Sequence, residues 1–361
     1  MLCKALDNLC ARLVTIFTGA VDDIAAGRAL SGDAAPTFVA PSPRHLGVLE
    51  ALAARARAAL TSLSANPPHW FVGWRVASGN RISETMRVPQ GGWTPMPDDG
   101  ARFYADPFLF ERAGRTWLFL EEFQYAADKA LISVVEIGRD GPLGVPRPII
   151  ERPFHLSYPF VFERDGEIWM LPEMSAAKRV ELLRAIDFPN AWEPAGVLLD
   201  GQEVSDATIV EHENRLWMFG TVGSGDASSW DALHLWHAPT LMGEWRAHER
   251  NPVLIDAGSA RPAGNFYQRA GDLWRPAQDC TRGYGAGLAL ARVTSLNEKD
   301  YTQKVEAVLD PRGAWKGNGL HTLNWAAGIE VVDGCTAGGK APRTRQPQSS
   351  SSRMIPASDL R

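Results

Sequence analysis

Ionisable and hydrogen-bonding side chains recur in this sequence at intervals of about 50 residues, where similar segments begin. We call them the ring residues: Asp106, Tyr158, Asp206, Arg261 and His321. Further acidic residues stand where the partner segments end: Glu121, Glu122, Glu173 and Asp279. Carboxylates gathered in one place can supply a proton donor and a base for cleaving a glycosidic bond, because burial and like-charge repulsion raise the pKa of at least one of them.

A structural interpretation of the same residues is that each Asp or Glu caps a turn by accepting backbone N–H groups. Repeated turn caps would tend to keep one residue type, whereas the ring residues change type from repeat to repeat. The variation therefore predicts distinct roles. His155, just before the second ring residue, could donate a hydrogen bond to a substrate hydroxyl or bond a neighbouring loop.

The segment that carries Asp106 is typical of a β-hairpin, because apolar residues alternate on both sides of a turn at Ala113-Gly114. Its pattern returns at 158–173, 206–219, 261–279 and, more weakly, 321–333. The turn positions of the five copies are Gly114, Gly166, Asn214, Gly271 and Gly328. Four tryptophans share one place on the return strand, where we expect them to pack between sheets: Trp117, Trp169, Trp217 and Trp274.

Strand repeats of this length indicate propeller blades, and five copies predict five blades. Each of the first four copies is followed by candidate third strands (131–137, 180–186, 233–238, 288–293) and fourth strands (147–151, 192–199, 245–254, 305–309). The fifth copy lacks both, so residues 70–76 are expected to pair with it and close the ring. The prediction is an all-β fold, a five-bladed β-propeller over 70–335, with an N-terminal helical extension (1–69) and a disordered C-terminal tail (336–361).

The extension contains two segments with apolar residues at helical spacing, 1–30 and 45–63. Packing on the propeller or on a partner is the expected role of these helices, rather than membrane contact. The tail is rich in Gly, Ser and Arg and has almost no large apolar residue with which to form a core.

Composition excludes several classes of function. The formal net charge is −5 and basic residues are not clustered, which argues against nucleic-acid binding. No apolar run is long enough for a transmembrane helix, and the N-terminus fits a secretory signal poorly. The four cysteines are too dispersed for a compact metal site, so we expect a reducing, cytoplasmic location, with no metal and no cofactor.

Long motifs resemble the N-terminal domain of plant glucosamine inositolphosphorylceramide transferase and its bacterial stand-alone or formyltransferase-fused relatives. They are YADPF (104–108), HLSYP (155–159), PE (172–173), DAT (206–208), NPVLID (251–256), SARPAG (259–264) and RPAQD (275–279). More distantly, an Asp-Pro pair at the first inner strand is similar to that of five-bladed glycoside hydrolases of the arabinanase, xylosidase and invertase type. Both resemblances imply a carbohydrate ligand.

The distant resemblance also implies roles for carboxylates. In those hydrolases an Asp of the first blade is the general base, an Asp of the third blade orients and adjusts pKa values, and a later Glu is the acid. Asp106 and Asp206 match the first two by position. No Glu begins the fourth inner strand, where Arg261 stands instead, so Glu173 or Asp279 would have to donate the proton.

Two hypotheses remain open. One is catalysis on a glycosidic bond, by hydrolysis or transfer, with Asp106 as base or nucleophile, Asp206 as orienting group, and Glu173 or Asp279 as proton donor. The other is a non-catalytic module that binds a glycan or a glycolipid head group and assists a partner transferase. In both hypotheses the expected substrate-binding side chains are Glu121, Glu122, His155, Tyr158, Arg261 and His321, and Arg261 could hold an anionic group.

Overall fold

In the computed structural model, which describes residues 2–25, 27, 69–223, 228–315, 317 and 319–336, twenty-two strands form five antiparallel sheets. The first three blades, from the axis outward, are as follows. Blade 1 contains β3 (Arg102–Arg112), β4 (Arg115–Gln124) and β5 (Lys129–Gly138), which pairs with β6 (Gly141–Pro142) and β7 (Arg147–Ile150). Blade 2 contains β8 (Ser157–Arg164), β9 (Glu167–Glu173), β10 (Arg179–Asp187) and β11 (Ala191–Asp200). Blade 3 contains β12 (Val204–His212), β13 (Arg215–Val222) and β14 (Ala232–Ala238), which pairs with β15 (Arg246–Ala247) and β16 (Leu254–Ile255).

Blade 4 contains β17 (Tyr267–Arg269), β18 (Asp272–Asp279), β19 (Gly287–Leu296) and β20 (Tyr301–Leu309). Blade 5 joins the two ends of the propeller: β21 (Leu323–Ala326) and β22 (Ile329–Thr336) pair with β1 (His69–Val76) and β2 (Thr94–Pro95). The predicted ring closure is confirmed, with Trp70 opposite Cys335 and Val76 opposite Ile329. The closure removes an exposed sheet edge.

The hairpin between the first two strands has the same turn in every blade. The predicted turn residue has a left-handed backbone in all five copies: Gly114, Gly166, Asn214, Gly271 and Gly328. The residue before it is also left-handed, at Ala113, Asp165, Glu213, Ala270 and Ala327. Two successive residues with positive φ are typical of a type I′ turn, whose twist matches the flanking strands.

Two predicted strands are shorter than expected, and local contacts explain both. The inner strand of blade 4 begins at Tyr267 rather than at 261, because Pro262 lacks an N–H and Gly264 has φ of 130°. In blade 3 the predicted outer strand 245–254 is interrupted, since the side chain of Asn251 takes both backbone groups of Leu235, at 2.8 and 2.7 Å.

The core lies between neighbouring blades. Trp117, Trp217 and Trp274 are buried there and Trp169 packs against the same clusters, which confirms their predicted packing role. Burial of such rings contributes on the order of 25 cal/mol per Å² of apolar surface removed from water.

Three helical elements complete the described chain: α1 (Leu2–Ala25), α2 (Ile82–Thr85) and a 3₁₀ turn (Ser175–Ala177). The α1 helix confirms the first predicted helix and docks on blade 3 through Arg12, which contacts Asp231 and the Ser228 carbonyl. Among the described helices, none combines the length and apolar character needed to span a membrane. The predicted helix at 45–63 and the predicted tail after Thr336 lie outside the described residues. The described cysteines Cys10, Cys280 and Cys335 are free thiols, and the cytoplasmic location stays a prediction.

Candidate functional site

The first three ring residues share an unusual backbone conformation. Asp106, Tyr158 and Asp206 have φ of 47°, 45° and 55°, in the left-handed region that residues other than glycine seldom adopt. Each lies in a β-bulge, where the register between the first two strands of its blade shifts. A bulge re-aims a side chain, and strained backbone is most often retained at functional sites. The same device thus acts in three successive blades.

Arg261 joins two carboxylates from different blades. Its Nε donates to Asp206 Oδ2 at 2.6 Å, and its Nη2 donates to Asp206 Oδ1 at 3.2 Å and to Glu173 Oε2 at 3.3 Å. Gln278 Nε2 also donates to Asp206 Oδ2, at 2.8 Å. Ser175 Oγ and the Asp206 amide both donate to Glu173. Every carboxylate oxygen of this pair therefore has a partner within the protein.

The pKa values of the two carboxyl groups in this pair shift in opposite directions. Burial raises the pKa of Asp206 well above its ordinary value, and nearby Glu173 adds to the effect against the opposing charge of Arg261. Burial acts in the same direction on Glu173, but Arg261 and the hydrogen bonds from Asp206 outweigh it and hold the pKa of Glu173 below its ordinary value. The two carboxylates beside one guanidinium thus act as a coupled pair in which Asp206 holds the proton more readily.

A second cluster joins blade 1 to blade 5. Asp106 accepts hydrogen bonds from the Tyr158 amide at 3.1 Å and from Thr322 Oγ1 at 2.9 Å, and His321 Nε2 lies 3.5 Å from its Oδ1. The Asp333 carboxylate accepts the amide N–H groups of Asp106, His321 and Thr322. His321 Nδ1 lies 2.5 Å from Asp333 Oδ2 at an angle outside hydrogen-bond geometry, so this contact is an ion pair.

Burial sets the protonation of this cluster as well. It raises the pKa of Asp106 to about 7, against the charge of His321 and with a contribution from Glu121. For His321 burial acts against the charged imidazolium, but Asp333 and Asp106 outweigh it and raise the pKa to about 9. At neutral pH His321 is therefore a cation, and Asp106 holds a proton more readily than an ordinary aspartate does.

The cluster also has the composition of a metal site. Asp106, His321 and Asp333 each offer a ligand atom, and these atoms lie within 4.8 Å of one another. The Asp333 oxygens, however, already accept three backbone N–H groups. An ion-pair cluster accounts for these contacts, and the absence of a metal stays a prediction.

Above these clusters lies a more exposed rim. His155 Nε2 is 3.3 Å from Glu121 Oε1, and the His155 side chain is 43% exposed. Burial lowers the pKa of His155, but its contact with Glu121 outweighs this and raises it. Tyr284 is also 43% exposed, with the Arg261 guanidinium 5.2 Å from its ring centre. We call the buried clusters and this rim together the funnel.

Two predicted site residues, Asp279 and Glu122, have other contacts. Asp279 accepts hydrogen bonds from the amide and hydroxyl of Thr281, which is the turn-capping alternative. Glu122 is fully buried and bonded to Arg102 and Ser133, both at 2.6 Å. These contacts turn both side chains away from a ligand, and their predicted roles stay untested.

Tyr158 is fully buried at the axis. Its hydroxyl lies 2.9 Å from Thr208 Oγ1 and accepts the Gly264 amide at 2.8 Å. The hydroxyl is thus already bonded within the protein, and the substrate-binding role predicted for Tyr158 stays untested.

Sequence reasoning missed four side chains of the funnel: Asp333, Gln278, Thr322 and Tyr284. Asp333 was detectable, because it is an acidic residue on the second strand of the fifth repeat, as Glu173 is on that of the second. Both acids accept the amide of the ring residue in the following blade. Tyr284 lies in a loop outside the repeated pattern, so the repeats give no signal for it.

A family model described as "Glucosamine inositolphosphorylceramide transferase 1, N-terminal" matches residues 95–333. The chain belongs to this family. Curated relatives include glucosamine inositolphosphorylceramide transferase 1 of Arabidopsis thaliana, 30% identical over 251 residues, which are 65% of this chain and 32% of the relative. The protein of the same name from Oryza sativa subsp. japonica is 30% identical over 278 residues, 72% of this chain and 36% of the relative. This family member thus spans about a third of the length of these curated relatives. Both are plant proteins, so they do not support a bacterial origin, which the resemblance to bacterial relatives had suggested.

Solved structures similar to this family member include a family 117 glycoside hydrolase of Zobellia galactanivorans, with a TM-score of 0.46 at 10% identity, covering 74% of this chain and 90% of that one. An α-L-arabinofuranosidase of Podospora anserina gives a TM-score of 0.46 at 12% identity, covering 66% and 80%.

Proposed function

We propose that this propeller is a carbohydrate-binding module whose funnel receives a neutral or amino sugar and presents it to a transferase. One observation carries the proposal: Arg261 and the carboxylates of Asp206 and Glu173 bond to one another and to neighbouring side chains. The floor of the funnel is therefore a rigid polar surface with its partners in place, which is the kind of surface that orients a ligand.

The same contacts argue against a proton donor at the predicted positions. Arg261 and the hydrogen bonds from Asp206 keep the pKa of Glu173 low, so this carboxyl is ionised near neutral pH. Asp279 is engaged by Thr281. A general acid must hold its proton at the working pH and reach the leaving oxygen.

The charge of the funnel limits the sugar it accepts. The carboxyl groups of Asp106, Glu121, Glu173, Asp206 and Asp333 outnumber the basic groups of His155, Arg261 and His321, although the raised pKa values of Asp206 and Asp106 reduce the negative charge of the set. Arg261 is engaged by two carboxylates, so it has no free donor pair for a phosphate or a uronate. Neutral hydroxyls or an ammonium group suit these surroundings better than an anion.

The rim supplies the side chains that reach the ligand. Glu121, whose side chain is 9% exposed, has a single side-chain partner in the described residues, the more exposed His155. The exposed ring of Tyr284 offers an apolar surface on which a pyranose can pack. The transferase partner is proposed because the family model is described as N-terminal, the match covers 32% of the Arabidopsis thaliana relative, and that relative is named a glucosamine inositolphosphorylceramide transferase.

Calorimetric titration with glucosamine, glucose and glucuronate tests the proposal. We expect glucosamine or glucose to bind and glucuronate to bind most weakly. Glu121→Gln should weaken glucosamine binding about three- to tenfold, since one charged hydrogen bond is lost. Asp165→Asn, on an exposed hairpin of the opposite face, is the matched control and should bind as the parent does. Tightest binding of glucuronate, or binding of none of the three sugars, would refute the proposal.

A second function, catalysis on a glycosidic bond, is favoured by one observation. Burial raises the pKa of Asp106 to about 7, which suits a group that exchanges protons near neutral pH. Asp106→Asn separates the two functions. Loss of glycan turnover with retained binding would support catalysis, whereas an unchanged absence of turnover in parent and variant supports the binding module.

A further inference from the structure

A cavity of about 510 Å³ opens on the propeller axis at the end opposite to the funnel. All five inner strands contribute to its wall near their hairpin ends, through Phe110, Phe162, Val210, Tyr267 and Trp325. Its volume falls within the range of about 300–1,000 Å³ that small-molecule sites occupy. We call it the hairpin-side cavity.

The hairpin-side cavity is separate from the funnel. Phe110 stands four residues beyond Asp106 on the same strand, roughly 13 Å along it at about 3.3 Å per residue. Between the two levels the axis is occupied by Tyr158, whose hydroxyl bonds Thr208 and Gly264 and whose ring packs edge-on against Phe108 at 4.8 Å. A ligand of this cavity would therefore not touch the carboxylates of the funnel.

The mouth of the hairpin-side cavity is acidic. Glu111, Glu163 and Glu211 stand at equivalent positions in three successive blades, each directly after a wall residue. Glu211 is paired with Arg164 at 2.8 Å. Within the part of the chain that the structure describes, Glu111 and Glu163 form no hydrogen bond or ion pair. Two exposed carboxylates thus remain available to a positively charged ligand.

The wall of the cavity is aromatic on several sides. Phe162 and Trp325 belong to blades 2 and 5, which are not adjacent, and Tyr267 packs edge-on against Trp325 at 5.2 Å. Trp325 already holds one cation on a ring face, since the Arg81 guanidinium lies 5.5 Å from its centre and is itself paired with Glu84. Aromatic faces close to carboxylates attract organic cations, because the ring quadrupole and the negative charges act together.

We propose that the hairpin-side cavity binds an organic ammonium ion. The alkyl groups of the ion would lie against Phe110, Phe162 and Trp325, and its positive charge would face Glu111 and Glu163. This site is independent of the proposed sugar site, since the two lie at opposite ends of the axis. Binding here can therefore succeed or fail whatever the funnel does.

A calorimetric titration of the full chain tests this proposal with two probes. One is choline, and the other is its uncharged analogue, in which a quaternary carbon replaces the nitrogen. We expect saturable binding of choline at one site per chain and binding of the uncharged analogue at least tenfold weaker. The double variant Glu111→Gln/Glu163→Gln should weaken choline binding about three- to tenfold, as expected for exposed charges. Trp325→Leu should weaken it by a similar factor through loss of the aromatic face.

Two control variants test whether choline binding is specific to the hairpin-side cavity. Glu167→Gln removes an exposed carboxylate from the same blade 2 hairpin outside the cavity, and Asp106→Asn alters the funnel. Both should bind choline as the parent does. Equal binding of the uncharged analogue, undiminished binding by the double variant, or no binding of choline would each overturn the proposal.

Discussion

The two ends of the propeller axis both carry acidic side chains, but in opposite states. At the funnel end Asp206 is buried, the Glu173 side chain is only 10% exposed, and every carboxylate oxygen of the two has a partner. At the hairpin end Glu111 and Glu163 are exposed and have no partner among the described residues. A buried carboxylate needs compensation because leaving water is costly, whereas an exposed one does not. The same repeat thus builds a rigid polar floor at one end and free charge at the other.

Removal of the compensating cation should have the largest effect. Arg261→Met leaves Asp206 and Glu173 buried without their guanidinium, and we expect the free energy of unfolding to fall by about 3–5 kcal/mol. Urea denaturation measures it. The control Arg282→Met removes an exposed arginine paired with Asp310 in the same blade and should cost no more than about 1 kcal/mol. Similar losses in the two variants would contradict the difference between buried and exposed charge.

The pH dependence of the free energy of unfolding should reveal the protonation of His321 and Asp106, in the cluster that joins blade 1 to blade 5. The pKa of His321 rises to about 9 in the folded protein, so its charge stabilises the fold fully below about pH 6.5, the ordinary pKa of histidine, and this contribution is lost as pH rises towards 9. The loss is on the order of 3 kcal/mol. Asp106 also lowers the free energy of unfolding as pH rises, but over a lower range that ends near pH 7, because its pKa is raised to about 7 in the folded protein.

Urea denaturation of the parent at several pH values between 6.5 and 9 would measure this slope. The variant His321→Gln, compared with itself across the same range, should show a flatter dependence. A parent protein whose stability rises with pH in this interval would contradict the assigned protonation.

Loss of one buried hydroxyl should have a smaller effect. Tyr158→Phe leaves the Gly264 amide without its acceptor, and we expect a destabilisation of about 1–3 kcal/mol. Sugar binding at the funnel should be unchanged, because the hydroxyl is used within the protein. Weaker sugar binding with full stability would instead return Tyr158 to the ligand-binding role predicted from sequence.

Removing the exposed carboxylates at the hairpin end should have almost no effect on stability. Glu111→Gln/Glu163→Gln should change the free energy of unfolding by no more than about 0.5 kcal/mol, since exposed carboxylates without partners add little. Urea denaturation in parallel with Arg261→Met gives the contrast directly. A loss comparable to that of Arg261→Met would show that these carboxylates are structural.

The repeat made the fold predictable because each blade uses the same local chemistry. Gly114 and its four counterparts sit in turns that demand a left-handed backbone, and alternation around them defines the strands. Residues 70–76 were assigned to the last blade because an incomplete fifth copy needs an outer strand. These signals are local in sequence or follow from counting the copies.

The site was less predictable, because its chemistry depends on contacts between blades. Arg261 stands at a ring position and was expected to hold an anionic ligand, but two carboxylates from blades 2 and 3 engage it. Asp279 is the acidic residue at the end of the blade 4 hairpin, but counted from the turn glycine it is Gln278 that matches Glu173, and Gln278 reaches Asp206 at the axis. Which of two adjacent residues faces inward is set by strand register, and here the residue type at 279 pointed to the wrong neighbour.

The proposed role of the funnel as a binding surface is tested most directly by one NMR titration of the parent protein with a glucosamine-containing disaccharide, in which ligand and product signals are followed together. We expect the ligand signals to broaden or shift saturably while no monosaccharide appears. Release of a monosaccharide that Asp106→Asn abolishes, or an unperturbed ligand at all concentrations, would contradict it.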